Sequence, residues 1–249
     1  MLILRKFGIS FCLVQERFDS FIAMSKVVKT TFERNKGKPV AIVFPELALG
    51  QMPVSRKETK TWLREVQEMA KRHGNGYIFL SILEASPLKK GISNTGYMIG
   101  PSMLNSNPGK PMHWKAYAKF GRPDLDRSRI LQTQSPDKAA ARWDRRAGRK
   151  AIGEVLDKLT SSLLATNRVF RFPRVKINGR IVELRVCCDI SALNEAPVDV
   201  LVVPAWGWGL DSRPERIMQS LKAGGYAIAN DVWGSDPAAE IAWKPKKRG

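Results

Sequence analysis

Three side chains suited to acyl transfer, a carboxylate, an amine and a thiol, each lie at or near the end of an apolar stretch of this sequence. Glu46 follows the run 40–44, Lys119 follows a further apolar pattern, and Cys187 belongs to the strand-like stretch 181–189. A cysteine attacks as the thiolate, so it needs a proton acceptor, and the intermediate needs donors for its oxyanion. These residue types predict a cysteine hydrolase site, provided that the fold brings them together.

Each group has an expected role in that chemistry. Glu46 accepts the proton of the Cys187 thiol, and the charge of Lys119 stabilises the oxyanion. The backbone N–H of Cys188 is expected to be a second oxyanion donor. If 181–189 is one strand, the side chain of Cys188 faces away from the pocket that holds Cys187, because strand neighbours alternate. Attack on an amide then forms a thioester.

Each residue also has an ordinary structural explanation. Cysteine is among the most buried residue types and often only fills a core. Glu46, directly after Phe44-Pro45, fits a turn residue or a helix cap, and Lys119 is one of 42 lysines and arginines. The residue types alone leave both explanations open.

The elements around these residues alternate between strand and helix, which predicts an α/β domain. The run 40–44 has the composition of a strand buried on both faces. Ser55 and Glu58 form a capping box, which opens a helix that stops near Gly74. Further strands are predicted at 9–14, 77–83, 94–99, 198–203 and 226–230, and further helices between 18 and 35 and at 214–222.

Two hairpins are expected among these elements. Asn178-Gly179 supplies the positive φ angles of a tight turn, which predicts a hairpin of 169–175 with 180–186. The Asn-, Ser-, Pro- and Gly-rich stretch 105–111 predicts a turn between 94–99 and a strand that ends near Lys119.

Charge sets one segment apart from the rest. The chain has 42 Lys and Arg against 23 Asp and Glu, a formal net charge of +19. We expect a single domain over 1–249, with a basic helical insertion at about 122–167. The charge favours contact with nucleic acid or another polyanion, although no nucleic-acid-binding motif accompanies it. A solvated face explains the same basic segment equally well.

The cysteines and apolar runs indicate where the protein works. Cys12, Cys187 and Cys188 do not make a disulfide framework, which favours a reducing cytoplasm. A faint likeness to a signal peptide in the first residues is interrupted by Gln15-Glu16-Arg17. No apolar run reaches the roughly 18 residues of a membrane helix, so no membrane contact is expected. Neither a cofactor nor a metal ion is expected.

The three stretches resemble, in order and context, the motifs of the nitrilase, or carbon–nitrogen hydrolase, superfamily. Residues 43–47 resemble its glutamate motif, 117–119 its lysine motif and 186–189 its cysteine motif. The resemblance covers most of residues 9–234. It extends to 13–15, 94–97, 200–206 and 225–230.

The resemblance implies a four-layer α-β-β-α sandwich that usually pairs into a homodimer through helices. It implies Glu46, Lys119 and Cys187 as catalytic residues, a small-molecule amide or related substrate, and an acid with ammonia or an amine as products. Family nitrilases usually place tryptophan and glutamate after the cysteine, where this chain has Cys188 and Asp189. The resemblance therefore favours amides over nitriles.

This chain departs from the family pattern in three places. Many members have a second glutamate eight residues past the lysine, where Arg127 stands here, and Asp124 or Asp126 could replace it. The stretch between Lys119 and Cys187 is basic and longer than usual, which fits the insertion at about 122–167, and it could shape the pocket entrance. The chain ends about where family members continue into another strand pair, so the sandwich could be incomplete or completed by a partner. An inactive member of the fold that binds a polyanion is the alternative to an enzyme.

Overall fold

Two β-sheets lie face to face in this computed structural model. Two described helices cover the outer face of the first sheet, and one short described helix packs on the outer face of the second. The described residues therefore form an α-β-β-α sandwich, as the resemblance implied. The structure describes residues 1–49, 54–86, 91–102, 112–115, 169–170, 172–186, 189–190, 193–205, 210, 214–233 and 236–245.

The first sheet has seven strands among the described residues, in the order β1-β2-β3-β5-β6-β7, with β4 paired to β5. The strands β2, β3 and β5 are parallel. Because β6 is antiparallel to both β5 and β7, β7 runs in the same direction as β3. The hairpin expected before Lys119 is confirmed. The bounds are β1 Leu2–Lys6, β2 Ile9–Leu13, β3 Val40–Val43, β4 Val54–Ser55, β5 Gly76–Ser86, β6 Gly91–Ile99 and β7 Met112–Lys115.

The second sheet has the order β14-β13-β12-β10-β9, in which β10, β12 and β13 are parallel. A separate pair, β8 with β11, lies outside both sheets. The bounds are β8 Val169–Phe170, β9 Arg174–Ile177, β10 Arg180–Leu184, β11 Leu193–Asn194, β12 Val198–Ala205, β13 Leu221–Trp233 and β14 Asp236–Trp243.

Three helices are described: α1 Phe21–Arg34, α2 Arg56–His73 and α3 Pro214–Ser220. The predicted capping box is confirmed, since the Ser55 hydroxyl accepts from the Glu58 N–H at 3.2 Å and Glu58 Oε2 accepts from the Ser55 N–H at 3.3 Å. Gly74 ends α2 with a φ of 83°. Both ends of α2 are thus set by local sequence, as expected.

Apolar alternation along the strands explains how the layers pack. Phe11 and Leu13 of β2 face the second sheet, where they meet Leu184 and Val202. Cys12, between them, faces α1 and α2 instead. A strand that is apolar on both faces can be covered by a sheet on one side and by helices on the other.

The second sheet corrects three expectations. The stretch 169–175 is divided between β8 and β9, because Pro173 stands between them and has no N–H to donate. The strand predicted at 181–189 ends at Leu184. Beyond the expected last strand, β14 pairs antiparallel with β13, so the chain itself supplies this strand. The hairpin turn is confirmed, with φ of 46° at Asn178 and 78° at Gly179.

One buried side chain joins the two sheets. The Asn230 amide donates to the carbonyl oxygens of Val14, at 2.9 Å, and Val43, at 2.8 Å. Val14 directly follows β2 and Val43 ends β3, so the carboxyl ends of the parallel strands of both sheets lie at one edge of the sandwich. We call this the carboxyl edge.

Several expectations lie outside the described residues. They are the turn at 105–111 and the basic insertion at about 122–167, so the domain organisation stays a prediction. In the part of the chain that the structure describes, no helix has the length and apolar character to span a membrane.

Replacing Asn230 tests how much the joint between the sheets contributes. Asn230→Leu keeps the volume but removes both bonds. Val43 O retains its bond from the Val14 N–H at 2.9 Å, so the loss falls mainly on the buried Val14 carbonyl. We expect unfolding in urea to show a loss of about 1–3 kcal/mol. Asn35→Ala, which removes a part-buried bond to Thr31 O, is the matched control and should cost less. Equal stability of both variants would contradict this assignment.

Candidate functional site

Glu46 lies at the carboxyl edge, in a buried loop after β3, and is 2% exposed. Hydrogen bonds from its backbone N–H groups to residues of β5 hold this loop. The Phe44 N–H donates to Phe79 O at 2.8 Å, and the Leu47 N–H donates to Ser81 Oγ at 3.1 Å. Leu47 has a φ of 54°, in the left-handed region. The loop therefore holds the Glu46 carboxylate in a fixed position beyond the end of its strand.

Two further charged residues belong to this edge. Arg17, in the segment between β2 and α1, interacts electrostatically with Glu46 and with Asp231 of β13. Burial lowers the pKa of Arg17, and the two carboxylates oppose that shift. Asp231 is 7% exposed and follows the sheet-joining Asn230. A part-buried cation thus interacts with two largely buried carboxylates, one from the loop after β3 and one from β13.

Cys187 and Cys188 lie outside the described residues, but both flanking residues are described. The Asp189 N–H donates to Val186 O at 3.0 Å, and Asp189 Oδ2 accepts from the Val186 N–H at 3.1 Å. These two bonds join the described residues that flank the two cysteines in the sequence, and we call the segment 186–189 the nucleophile turn. Because β10 ends at Leu184, strand alternation no longer supports the expectation that Cys188 faces away from Cys187, and the orientation of Cys188 stays a prediction.

The register of the second sheet places the nucleophile turn at the carboxyl edge. Leu184 pairs with Val202, and Pro204 pairs with Asn230. The Arg185 N–H still donates to Val202 O at 3.0 Å, and Val202 is two residues before Pro204, so the end of β10 lies close to the level of Asn230. Asn230 in turn contacts Val43, three residues before Glu46. The start of the nucleophile turn and the Glu46 loop therefore lie at similar heights on facing sheets.

The predicted lysine and the auxiliary acids stay predictions. The strand β7 runs toward the carboxyl edge and ends at Lys115, four residues before Lys119. Lys119, Asp124 and Asp126 lie outside the described residues.

Sequence reasoning missed Arg17, Asp231 and the role of Asn230. Arg17 counted only as a residue that breaks up a signal-like run, and the resemblance included Asn230 without giving it a role. The available signal was position, since Arg17, like Glu46, follows closely after a buried strand. Among the described residues, no group of three His, Cys, Asp or Glu side chains could hold a metal ion.

No protein-family model and no curated protein matches this sequence. Solved structures do match. An amidase variant from Nesterenkonia sp. AN1, with acrylamide added to its active-site cysteine, aligns with a TM-score of 0.54 and 12% identity over 93% of this chain and 84% of that chain. A CN-hydrolase superfamily protein from Xanthomonas campestris, with an arsenic adduct in its active site, gives a TM-score of 0.50 and 12% identity over 99% and 89%. The chain has the nitrilase-superfamily fold.

This confirms the fold that the three sequence motifs implied. The shared fold extends over nearly the whole of this chain and most of each solved structure, although only about one residue in eight is identical. Identity at that level supports the nitrilase-superfamily fold and leaves activity to be argued from the site.

Selective labelling tests which thiol is the nucleophile. Cys12 is buried, and burial raises its pKa to about 11, so this thiol stays protonated at pH 8. We expect iodoacetamide at pH 8 to modify mainly Cys187, as mapped by mass spectrometry, and to leave Cys12 unmodified. Cys12→Ala serves as the control and should label like the unmutated protein. Main labelling at Cys188 would overturn the assignment.

Proposed function

We propose that this protein is a cysteine-dependent hydrolase of non-peptide carbon–nitrogen bonds and that amides are its preferred substrates. Cys187 is the nucleophile, Glu46 the general base and Lys119 the oxyanion stabiliser. One observation carries the proposal: β3, β7 and β10, the described strands that precede these residues, all run toward the carboxyl edge.

The reaction follows from these three groups. Glu46 takes the thiol proton of Cys187, and the sulfur attacks the amide carbonyl carbon. Lys119 and the Cys188 N–H stabilise the oxyanion of the tetrahedral intermediate. When the intermediate collapses, the carbon–nitrogen bond breaks and the nitrogen leaves as ammonia or an amine with the proton from Glu46. Glu46 then deprotonates a water molecule, which attacks the thioester, and the acid leaves as Cys187 regains its proton.

The surroundings of Glu46 support its role as base. A proton acceptor must be held in place. The hydrogen bonds from the N–H groups of Phe44 and Leu47 to β5 hold the loop that carries Glu46. It must also be ionised at the start of the cycle. A nearby cation favours the charged form of a carboxylate, and Arg17 is such a cation.

Amides are preferred over nitriles on two grounds. Cys188 and Asp189 follow the nucleophile, where family nitrilases usually have tryptophan and glutamate. In addition, the Nesterenkonia amidase, which shares the fold, has been captured with the acetamide moiety of fluoroacetamide on its cysteine, at a TM-score of 0.53 and 12% identity over 98% of this chain and 93% of that chain. Asp124 or Asp126 is the proposed auxiliary acid, and a homodimer is the proposed assembly.

A substrate screen tests the proposal directly. Small amides, carbamoyl compounds and nitriles are incubated with the protein, and ammonia release is measured beside Cys187→Ala. We expect release from at least one amide and none from the variant. Release from nitriles alone would overturn the preference for amides, and release that survives in Cys187→Ala would overturn the mechanism.

Replacing Glu46 tests the proton acceptor. Glu46→Gln keeps the size but does not accept the thiol proton, so we expect turnover of an amide substrate to fall by about 100-fold to 10,000-fold. The matched control is Glu84→Gln, at a carboxylate that is 1% exposed and is held by Thr95 and Tyr97 on the helix side of the first sheet. The control Glu84→Gln should lower the melting temperature but have a much smaller effect on turnover than Glu46→Gln. Near-normal turnover in Glu46→Gln would mean that another group takes the proton.

Two lysine variants test the oxyanion stabiliser. Methionine fills similar space to lysine without the charge, so Lys119→Met should lower turnover by roughly 100-fold to 1,000-fold, the usual effect of losing one oxyanion donor. Lys115→Met is the control and should have little effect. Thermal melts establish that both variants are folded. A severe defect in Lys115→Met beside a mild one in Lys119→Met would show that Lys115 is the catalytic lysine.

A further inference from the structure

A fully buried arginine stands directly before the nucleophile turn. Arg185 is 0% exposed, and its guanidinium donates in several directions. Nε donates to Glu183 Oε1 at 2.9 Å, and Nη2 donates to Ser220 Oγ at 2.9 Å. Nη1 lies 3.5 Å from the carbonyl oxygens of both Asp189 and Ile190. One planar group thus reaches β10, the end of α3 and the chain that leaves the nucleophile turn.

The charge of Arg185 is balanced within the same cluster. Glu183, also 0% exposed, accepts from Arg174 Nε at 2.8 Å through its second oxygen. Asp189 adds a second carboxylate. The Phe172 ring covers the guanidinium, 4.6 Å from its carbon. Two cations and two carboxylates therefore offset one another, and the cluster adds little net charge to the turn.

Stability alone does not explain this cluster. Burying an ion pair costs desolvation, and well-packed apolar side chains of similar volume are often as stabilising. The position is flanked by Leu184 and Val186, both 0% exposed, so an apolar residue fits the local pattern. What an apolar residue does not provide is a rigid fork of donors aimed at the backbone beyond the turn.

We propose that Arg185 is a positioning residue for the nucleophile turn, and that its guanidinium, held by Glu183 and Ser220, fixes the backbone on both sides of Cys187. The proposal rests on the proposed function for the identity of the nucleophile. Upstream of Cys187, Arg185 is anchored through its own backbone at the end of β10, where its N–H donates to Val202 O at 3.0 Å. Its downstream anchors are the carbonyls of Asp189 and Ile190.

The consequence is geometric. The Cys188 N–H is the proposed oxyanion donor, and in the sequence Cys188 stands between Val186 and Asp189, the described residues that border the segment held by Arg185. A shift of about 1 Å in such a group can cost on the order of 100-fold in rate. Loss of the guanidinium fork should therefore lower turnover while substrate binding changes little.

The main test is Arg185→Lys, which retains a charge beside Glu183 but lacks the planar fork. With an amide that the unmutated protein hydrolyses, we expect kcat to fall by about tenfold or more and KM to change by less than about threefold. The rate of Cys187 alkylation by iodoacetamide should show an altered pH profile. Arg180→Lys is the matched control, on the same strand, at a side chain that is 47% exposed and bonds Asp199 at 3.5 Å. It should leave kcat and the profile unchanged.

Ser220→Ala provides a milder second variant. It removes the partner of Nη2 at the end of α3 and leaves the Arg185–Glu183 ion pair in place. We expect a smaller fall in kcat in the same direction, with the circular dichroism spectrum unchanged. If Arg185→Lys does not fold, this variant decides the proposal.

The outcomes separate this proposal from the proposed function. The positioning role is overturned if folded Arg185→Lys has a normal kcat and a normal alkylation profile. If Arg185→Lys does not fold, the same result in Ser220→Ala overturns it. If the unmutated protein hydrolyses no amide or related compound, the proposed function fails, and the alkylation profiles still decide whether Arg185 positions Cys187. A variant that melts at lower temperature but keeps full kcat and the same profile shows a structural role alone and also overturns the proposal.

Discussion

The two carbonyl oxygens that bind Asn230, on Val14 and Val43, set how the sheets meet at the carboxyl edge. The other described buried contacts between the sheets are mainly apolar, and apolar packing is not directional. A further polar bond between the sheets, from the Asn178 amide to Phe7 O at 2.9 Å, is exposed and joins two hairpin turns. A buried amide, in contrast, must be satisfied by particular partners at particular distances. The two hydrogen bonds of the Asn230 amide therefore fix the level of the second sheet relative to the first at this edge, and with it the height of the nucleophile turn relative to Glu46.

The distribution of buried charge sets the carboxyl edge apart from the core. Between the sheets the chain buries mainly aliphatic and aromatic side chains, whereas Glu46, Asp189 and Asp231 lie at or beyond the ends of strands. Carboxylates are costly to bury unless they are paired or hydrogen-bonded. Arg17 and Arg185 provide cations beside them, from a loop and from the end of a strand respectively. The charged side chains named here, whose burial is unfavourable, are thus concentrated at the edge where the proposed chemistry occurs.

The sandwich needs little sequence identity to persist. Its strands require apolar residues on both faces, and many aliphatic combinations meet that need. The 12% identity with solved nitrilase-superfamily structures is consistent with this tolerance. Chemistry is less tolerant, because a base, a cation and a nucleophile must each occupy one place. The proposed function therefore depends on a few residues at the carboxyl edge more than on the core that supports them.

The sequence by itself determined those features whose causes are local. Ser55 and Glu58 fix the start of α2, Gly74 fixes its end, and Asn178-Gly179 fixes a hairpin, because each acts through its own backbone and near neighbours. Glu46 was located in the same way, at the end of an apolar run. Only the tertiary structure showed that Arg17 interacts with Glu46 and that Arg185 contacts the backbone after the nucleophile turn. It also showed that β14 extends the second sheet. These depend on contacts between segments distant in sequence, and neither spacing nor periodicity encodes which distant partner a buried charge or a strand edge will meet.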